Sequence, residues 1–168
     1  MSFDPGALYT SERGIARLVT KEEAHELLRE SEEKGLVHMG SNTSNFMEFL
    51  CNCCSCHCVV LKNINEMGEP IWAASSGYLA EVEVYDELSH QCCICVEMCP
   101  MDAVSINEGK TADVDEFRCI GCGVCARRCP AVAISMNPCD DVPSPLETPR
   151  DLRNTAMGDF HRVQAEQK

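Results

Sequence analysis

The sequence is poor in aromatic and in basic residues. Its 168 residues include one Trp, three Tyr and five Phe, and 14 Lys and Arg stand against 27 Asp and Glu, for a formal net charge of −13. Phosphate binding needs clustered cations, so this charge argues against nucleic acid as the main partner. The hydrophobic fraction of 45% counts 14 cysteines. Without the cysteines, the chain has few apolar residues to form the core that a chain of 168 residues needs.

Long apolar runs and targeting signals are also missing. No run approaches the roughly 18 residues of a membrane span, so we expect no transmembrane segment. The stretch Met1–Gly6 has no basic flank and no apolar segment, which argues against a secretory signal and for a cytoplasmic location. Because a reducing cytosol keeps thiols open, the cysteines predict metal binding rather than disulfides.

Many of the cysteines belong to an internal repeat with a constant offset along the chain. The run Cys92, Cys95, Cys99 and Pro100 recurs as Cys122, Cys125, Cys129 and Pro130. At the same offset, residues 103–107 match residues 133–137, and Val84 corresponds to Val114. A repeat of this extent indicates one supersecondary unit used twice.

The second copy, residues 119–130, reads C-x2-C-x2-C-x3-C-P. It resembles the signature of bacterial ferredoxins with two [4Fe-4S] clusters, in which three thiolates bind one cube and the fourth binds the other. Gly121 and Gly123 suit a backbone that curls around such a cube. A zinc ribbon is the alternative, but it uses two C-x2-C pairs, which this pattern fits poorly.

The resemblance implies two crossed ligand sets. One set is Cys99, Cys119, Cys122 and Cys125; the other is Cys92, Cys95, Cys129 and a fourth ligand. The first copy has Ser89 where the second has Cys119, and Cys93 where the second has Gly123. Three possibilities therefore remain open for this site: Cys93 is the fourth ligand, Ser89 is the fourth ligand, or the site holds a three-iron cluster. We favour Cys93, because thiolate suits iron better than a serine oxygen does.

A second cysteine-rich stretch lies upstream, at residues 51–58, with five cysteines and His57. It predicts a third [4Fe-4S] cluster. The first-choice ligands are Cys51, Cys54, Cys56 and Cys58, with Cys53 and Cys139 as possible substitutes. A zinc site is the alternative. We expect His57 to be a bystander or a hydrogen-bond donor to sulfur rather than a ligand.

These signals predict an α+β protein in three parts. Residues 79–137 resemble the ferredoxin-like two-cluster core, a pseudo-twofold βαββαβ arrangement. Residues 1–78 form an N-terminal extension, with a helix at about 20–34, begun by a capping box at Thr20–Glu23 and ended at Gly35, and with the cysteine-rich loop 51–58. Residues 138–168 are expected to form an extended, Pro-rich tail, and residues 1–17 give few structural signals.

Nothing in the sequence resembles a catalytic site, because nucleotide-binding and nucleophile motifs are missing. Whether the chain is an enzyme in its own right is uncertain. Cubes held by four thiolates accept and release single electrons, so we expect electron transfer. The chain resembles the small ferredoxin-like subunits of tungsten-pterin oxidoreductases of anaerobes, such as aldehyde oxidoreductase-type enzymes and class II benzoyl-CoA reductase.

That resemblance implies a larger catalytic oxidoreductase subunit and a protein electron donor or acceptor as partners. Three other functions stay open: a free low-potential ferredoxin, a cluster carrier or redox sensor, and a zinc-stapled interaction module. Arg127 and Arg128 precede Cys129, whereas Glu97 and Met98 precede Cys99. Because positive charge favours the reduced cluster, we expect the cluster nearer the arginines to have the higher potential.

Overall fold

The computed structural model describes residues 1–45, 47–67, 75–83, 92–107, 111–140 and 142–166. Its helices are α1 (Asp4–Glu12), α2 (Lys21–Glu33), α3 (Val59–Met67), α4 (Ile94–Met98), α5 (Val124–Arg128) and α6 (Pro149–Glu166). Its strands are β1 (Val37–Gly40), β2 (Leu50–Cys53), β3 (Tyr78–Val82), β4 (Val104–Ile106), β5 (Ala112–Val114) and β6 (Ile134–Pro138). The α+β class is thus confirmed. Within the described ranges, no helix has both the length and the apolar character to cross a bilayer.

Helix α2 forms where the capping box predicts it. The Thr20 hydroxyl accepts a hydrogen bond from the Glu23 amide at 3.2 Å, and the Glu23 carboxylate accepts one from the Thr20 amide at 2.9 Å. These two bonds satisfy amides that the first helical turn leaves without partners. The chain leaves the helix through Gly35, whose φ of +72° costs a glycine little.

The repeat region builds two small antiparallel sheets. Strand β3 pairs with β6, and β4 pairs with β5, while β1 and β2 form a third two-stranded sheet. From β3 to β6 the elements follow in the order β-α-β-β-α-β. Ala80, Cys125 and Ile134 form a buried cluster, so the core reaches the cysteines directly. The order agrees with the expected core, whose pseudo-twofold arrangement stays a prediction.

The strand register differs from the offset that relates the cysteines. Val114 lies opposite Val104 in the second sheet, and Val82 lies opposite Ile134 in the first. Val82 therefore takes the place that the sequence offset assigned to Val84, which lies outside the described residues. Because the strand lies earlier than the cysteine offset implies, the first copy has a longer connection between its strand and Cys92 than the second copy has before Cys122.

The chain divides into two compact units. One contains residues 1–18, 39–51 and 143–168, and the other contains residues 19–38 and 52–142. In the first unit, the amino group of Met1 donates to the Leu50 carbonyl at 2.7 Å, and the Ser44 amide donates to the Leu146 carbonyl at 2.9 Å. The second unit holds both copies of the cysteine repeat.

The expectation of an extended C-terminal tail is wrong for most of its length, and the N-terminal stretch with few structural signals also contains a helix. Residues 149–166 form helix α6 instead of an extended tail, and residues 4–12 form helix α1. In both helices, the residues that favour helix formation lie at the first turn. Thr148 precedes Pro149 at the start of α6, and its hydroxyl accepts from the Asp151 amide at 3.3 Å and donates to the Asp151 carboxylate at 2.6 Å. Pro5 likewise lies at the start of α1, where the missing N–H costs nothing.

Candidate metal centres

Four cysteines from distant parts of the repeat region meet at one cavity. Its lining includes the sulfur-bearing residues Cys99, Cys119, Cys122 and Cys125. Cys99 comes from the end of the first copy, directly after α4, whereas the other three belong to the loop and first turn of α5. Apolar residues, among them Ala80, Met101 and Val104, complete the wall. The chain thus brings a four-thiol set into an apolar pocket.

Burial controls the acidity of these thiols. Desolvation raises the pKa of Cys125 to about 12, and the neighbouring Cys122, Cys99 and Cys119 contribute to this rise. Desolvation is also the main cause of the raised pKa of Cys122. Without a cation these two thiols therefore hold their protons. A bound metal would reverse this preference, because it stabilises the thiolate form.

The loop that carries Cys119 and Cys122 is held tightly against the start of β3. The Ser76 amide donates to the Ile120 carbonyl at 3.1 Å, and the Ser76 hydroxyl donates to the Gly121 carbonyl at 2.6 Å. Gly121 has a φ of +65°, and a Cβ there would collide with the Tyr78 carbonyl oxygen and the Ser76 hydroxyl. Only glycine therefore fits this close approach without a shift of the backbone.

Amide groups point at two of the sulfurs. The Ala103 amide donates to Cys99 Sγ at 3.2 Å, and the Ala133 amide donates to Cys129 Sγ at 3.4 Å. These two bonds occupy equivalent positions in the two copies of the repeat. The donor set of soft sulfurs, supported by amide hydrogen bonds in an apolar setting, fits the surroundings that iron–sulfur clusters require.

A second group of thiols contains Cys92, Cys95 and Cys129. Desolvation raises the pKa of Cys95, and the charges of Cys92 and Cys129 add to this effect, so Cys95 is coupled electrostatically to a cysteine of each copy. Cys129 comes from the second copy and the other two from the first. The two groups therefore exchange one cysteine between the copies, as the family resemblance implies. The ligand assignment itself stays a prediction.

Cys93 is a cysteine in a backbone conformation that favours glycine. Its φ is +50° at the N-terminus of α4, and Gly123 has a φ of +74° at the same place before α5. A side chain in this region costs about 1 kcal/mol relative to glycine. Ser89, the other candidate for the missing ligand, lies outside the described residues.

The upstream loop brings together a different set from the one expected. Cys54 Sγ, Cys56 Sγ and His57 Nδ1 all lie within 4.8 Å of one another. Two of the four expected ligands are thus present, together with His57, which was not expected to be a ligand. Cys51 and Cys58 lie nearby in the chain but not in this group, and Cys139 is exposed after β6. The contacts of His57 Nδ1 with Cys54 Sγ at 3.7 Å and Cys56 Sγ at 3.1 Å agree with the hydrogen-bond role that the sequence predicts for this histidine.

The comparison with known families agrees with the cysteine pattern. Residues 90–133 match the family described as 4Fe-4S dicluster domain, and no curated protein matches the chain. Residues 90–133 form an iron–sulfur, ferredoxin-like region. Both copies of the cysteine repeat from Cys92 to Pro130 lie in this ferredoxin-like region, which indicates iron–sulfur electron transfer. The match covers about a quarter of the chain, and the chain's two units extend beyond it.

Proposed function

We propose that this protein is an electron-transfer subunit that relays single electrons through two [4Fe-4S] clusters to or from a larger catalytic oxidoreductase subunit. One cluster would be held by Cys99, Cys119, Cys122 and Cys125, and the other by Cys92, Cys95, Cys129 and Cys93. When bound, such clusters supply one-electron chemistry. The relay does not depend on the third cluster that the sequence predicts around residues 51–58.

The cavity lined by four cysteines is the observation that carries this proposal. Three of these residues are close in sequence, but Cys99 belongs to the other copy of the repeat and reaches the same pocket. An ordinary core has no need for four thiols around one cavity. A zinc site would use pairs of cysteines that are close in sequence. In ferredoxins with two neighbouring clusters, by contrast, each copy of the repeat supplies one cysteine to the cluster of the other copy.

Cys93 is the proposed fourth ligand of the second cluster. In the observed register, the connection from Val82 to Cys92 is longer than the corresponding connection from Val114 to Cys122 in the second copy. More than one residue of this longer connection can therefore correspond to Cys119 of the second copy. None of the residues 83–91 is a cysteine. Cys93 keeps a left-handed backbone where Gly123 does so without strain. A strained backbone retained beside a site supports a functional role for the side chain.

The partner is inferred from what surrounds the ferredoxin-like region. That region covers about a quarter of the chain, yet the chain also contains α2, α3 and the whole first unit with α1 and α6. Exposed apolar side chains on the described residues include Ile15, Phe117 and Val132. Such additions suit a subunit bound in a complex, and a tungsten-pterin oxidoreductase is the partner class that the resemblance suggests.

A reductive titration tests the relay. The chain, purified under strict anaerobic conditions, is expected to take up about two electrons and to return them to an oxidant without loss of cluster absorption. Isolation from the native host should yield the same iron in a particle much larger than 18.6 kDa. Iron that takes up no electrons would contradict the relay, and a lone monomer with full activity would contradict the subunit role.

The charge pair Arg127–Glu32 gives a prediction about potentials. Arg127 Nε lies 3.1 Å from a Glu32 carboxylate oxygen, and Arg127 shortly precedes Cys129 in the chain. Removal of the positive charge in Arg127→Gln is expected to lower the potential of the nearer cluster. Removal of the negative charge in Glu32→Gln is expected to raise it. Both side chains are partly exposed, so we expect shifts on the order of tens of millivolts that shrink at high salt.

Redox titration followed by electron paramagnetic resonance measures both shifts. The two variants serve as controls for each other, because a loss of structure would move both potentials in the same direction. The double variant is expected to lie close to the wild type. Shifts of equal sign, or none in either variant, would contradict an electrostatic role for this pair.

A further inference from the structure

The turn before α3 holds three metal-binding side chains close together. The Cys58 amide donates to the Cys54 carbonyl at 3.0 Å, which closes the turn directly ahead of α3. Within it, His57 Nδ1 lies 3.1 Å from Cys56 Sγ and 3.7 Å from Cys54 Sγ, and the two sulfurs lie 2.6 Å apart. All three residues belong to this one turn, so the turn sets their geometry.

These distances fit one ion better than they fit a cube. A tetrahedral zinc ion has bonds of about 2.3 Å to sulfur and about 2.0 Å to nitrogen, so its ligand atoms lie about 3.5–3.8 Å apart. The two contacts of His57 are close to that range, and an ion would need to separate the two sulfurs by only about 1 Å. The corners of a cube require a wider spread, because each thiolate points outward from a separate iron.

We propose that Cys54, Cys56 and His57 bind a single thiophilic divalent cation of the zinc type, at a site separate from the ferredoxin-like region. Two thiolates and an imidazole are the donors that this class of ion prefers. Cys56 and His57 are exposed, so the fourth position is open to water or to a further cysteine of the loop. His57 becomes a ligand through Nδ1, in place of the hydrogen-bond role expected from the sequence.

A cation here would fix the turn that leads into α3. That helix places Asn65 against the repeat, where its side-chain amide donates to the Pro100 carbonyl at 2.9 Å. Leu61 and Ile64 of the same helix are buried. The role of the ion is therefore structural: it holds the start of a helix whose other end contacts the residue after Cys99.

Metal counts on the anaerobically purified full chain test the site. Zinc and iron are measured for the wild type, Cys56→Ser and His57→Ala, with Ser55→Ala as the control for a change elsewhere in the same turn. We expect about one zinc-type ion per chain in the wild type and control. Both variants should bind the ion at least about tenfold more weakly while keeping their iron. Cobalt substitution should give a tetrahedral thiolate spectrum that both variants lose.

Three results would overturn the proposal. A loss of about four irons in Cys56→Ser would show a third cluster at this loop. Unchanged metal in both variants would show that the three side chains bind nothing. A loss of the zinc-type ion in Cys56→Ser, with no loss in His57→Ala, would exclude His57 as a ligand. None of these results touches the two-cluster relay, whose failure would show as missing iron in the wild type.

Discussion

Cys125→Ala is expected to remove about half of the iron from the protein, because it deletes one of four thiols around a single cavity. Cys125 is buried at 7% exposure, so water cannot easily replace the lost ligand. Cys129→Ala should remove the other half, since Cys129 belongs to the group with Cys92 and Cys95. Iron and acid-labile sulfide, measured per chain after anaerobic purification, report both losses.

The design carries its own controls. Cys139→Ala removes an exposed thiol outside both groups and should leave the iron unchanged. The double variant Cys125→Ala with Cys129→Ala should retain almost no iron. Far-ultraviolet circular dichroism checks that the helices α1 and α6 of the unit without the cysteine repeat are still formed. Full iron in Cys125→Ala would contradict the assignment of the cavity. Loss of all iron in a single variant would contradict two separate clusters, because each cysteine group would then depend on the other to hold its iron.

Gly121→Ala is expected to destabilise the iron-loaded protein by about 2 kcal/mol or more. A Cβ at this position meets the Tyr78 carbonyl oxygen and the Ser76 hydroxyl, and the backbone φ of +65° disfavours it as well. The loop would have to move away from β3, which displaces Cys119 and Cys122. We expect a lower thermal midpoint and faster bleaching of the cluster absorption in air.

Gly14→Ala is the matched control, because Gly14 has a φ of +67° with nothing within 4 Å of the added Cβ. It should cost only the backbone strain, about 1 kcal/mol, and leave the bleaching rate unchanged. Equal effects of the two substitutions would show that the contact with β3 does not matter. Faster bleaching in Gly14→Ala alone would contradict the proposed route from loop position to cluster stability.

Local signals in the sequence predicted the local structure well. The capping box at Thr20 starts α2, and Gly35 ends it, because both effects depend on near neighbours in the chain. The start of α6 has an equally local signal in Thr148, Pro149 and Asp151, which the abundance of proline concealed.

Long-range placement was harder to predict. A constant offset relates the cysteines, but the pairing of Val82 with Ile134 depends on chain length between strand and loop, which a cysteine count does not show. The grouping of Cys99 with Cys119 was reached only through family resemblance. A contact of His57 with sulfur was expected, but the choice of Cys54 and Cys56 as its neighbours depends on the shape of a turn, which the spacing among thiols does not show.

Mössbauer spectroscopy on iron-57-enriched, anaerobically purified protein tests the central claim most directly. We predict that essentially all iron gives the signature of [4Fe-4S] cubes, at about eight irons and eight sulfides per chain, and that it changes on one-electron reduction of each cube. A spectrum of isolated ferrous thiolate sites, or a colourless preparation in which zinc fills the four-cysteine cavity, would contradict the account.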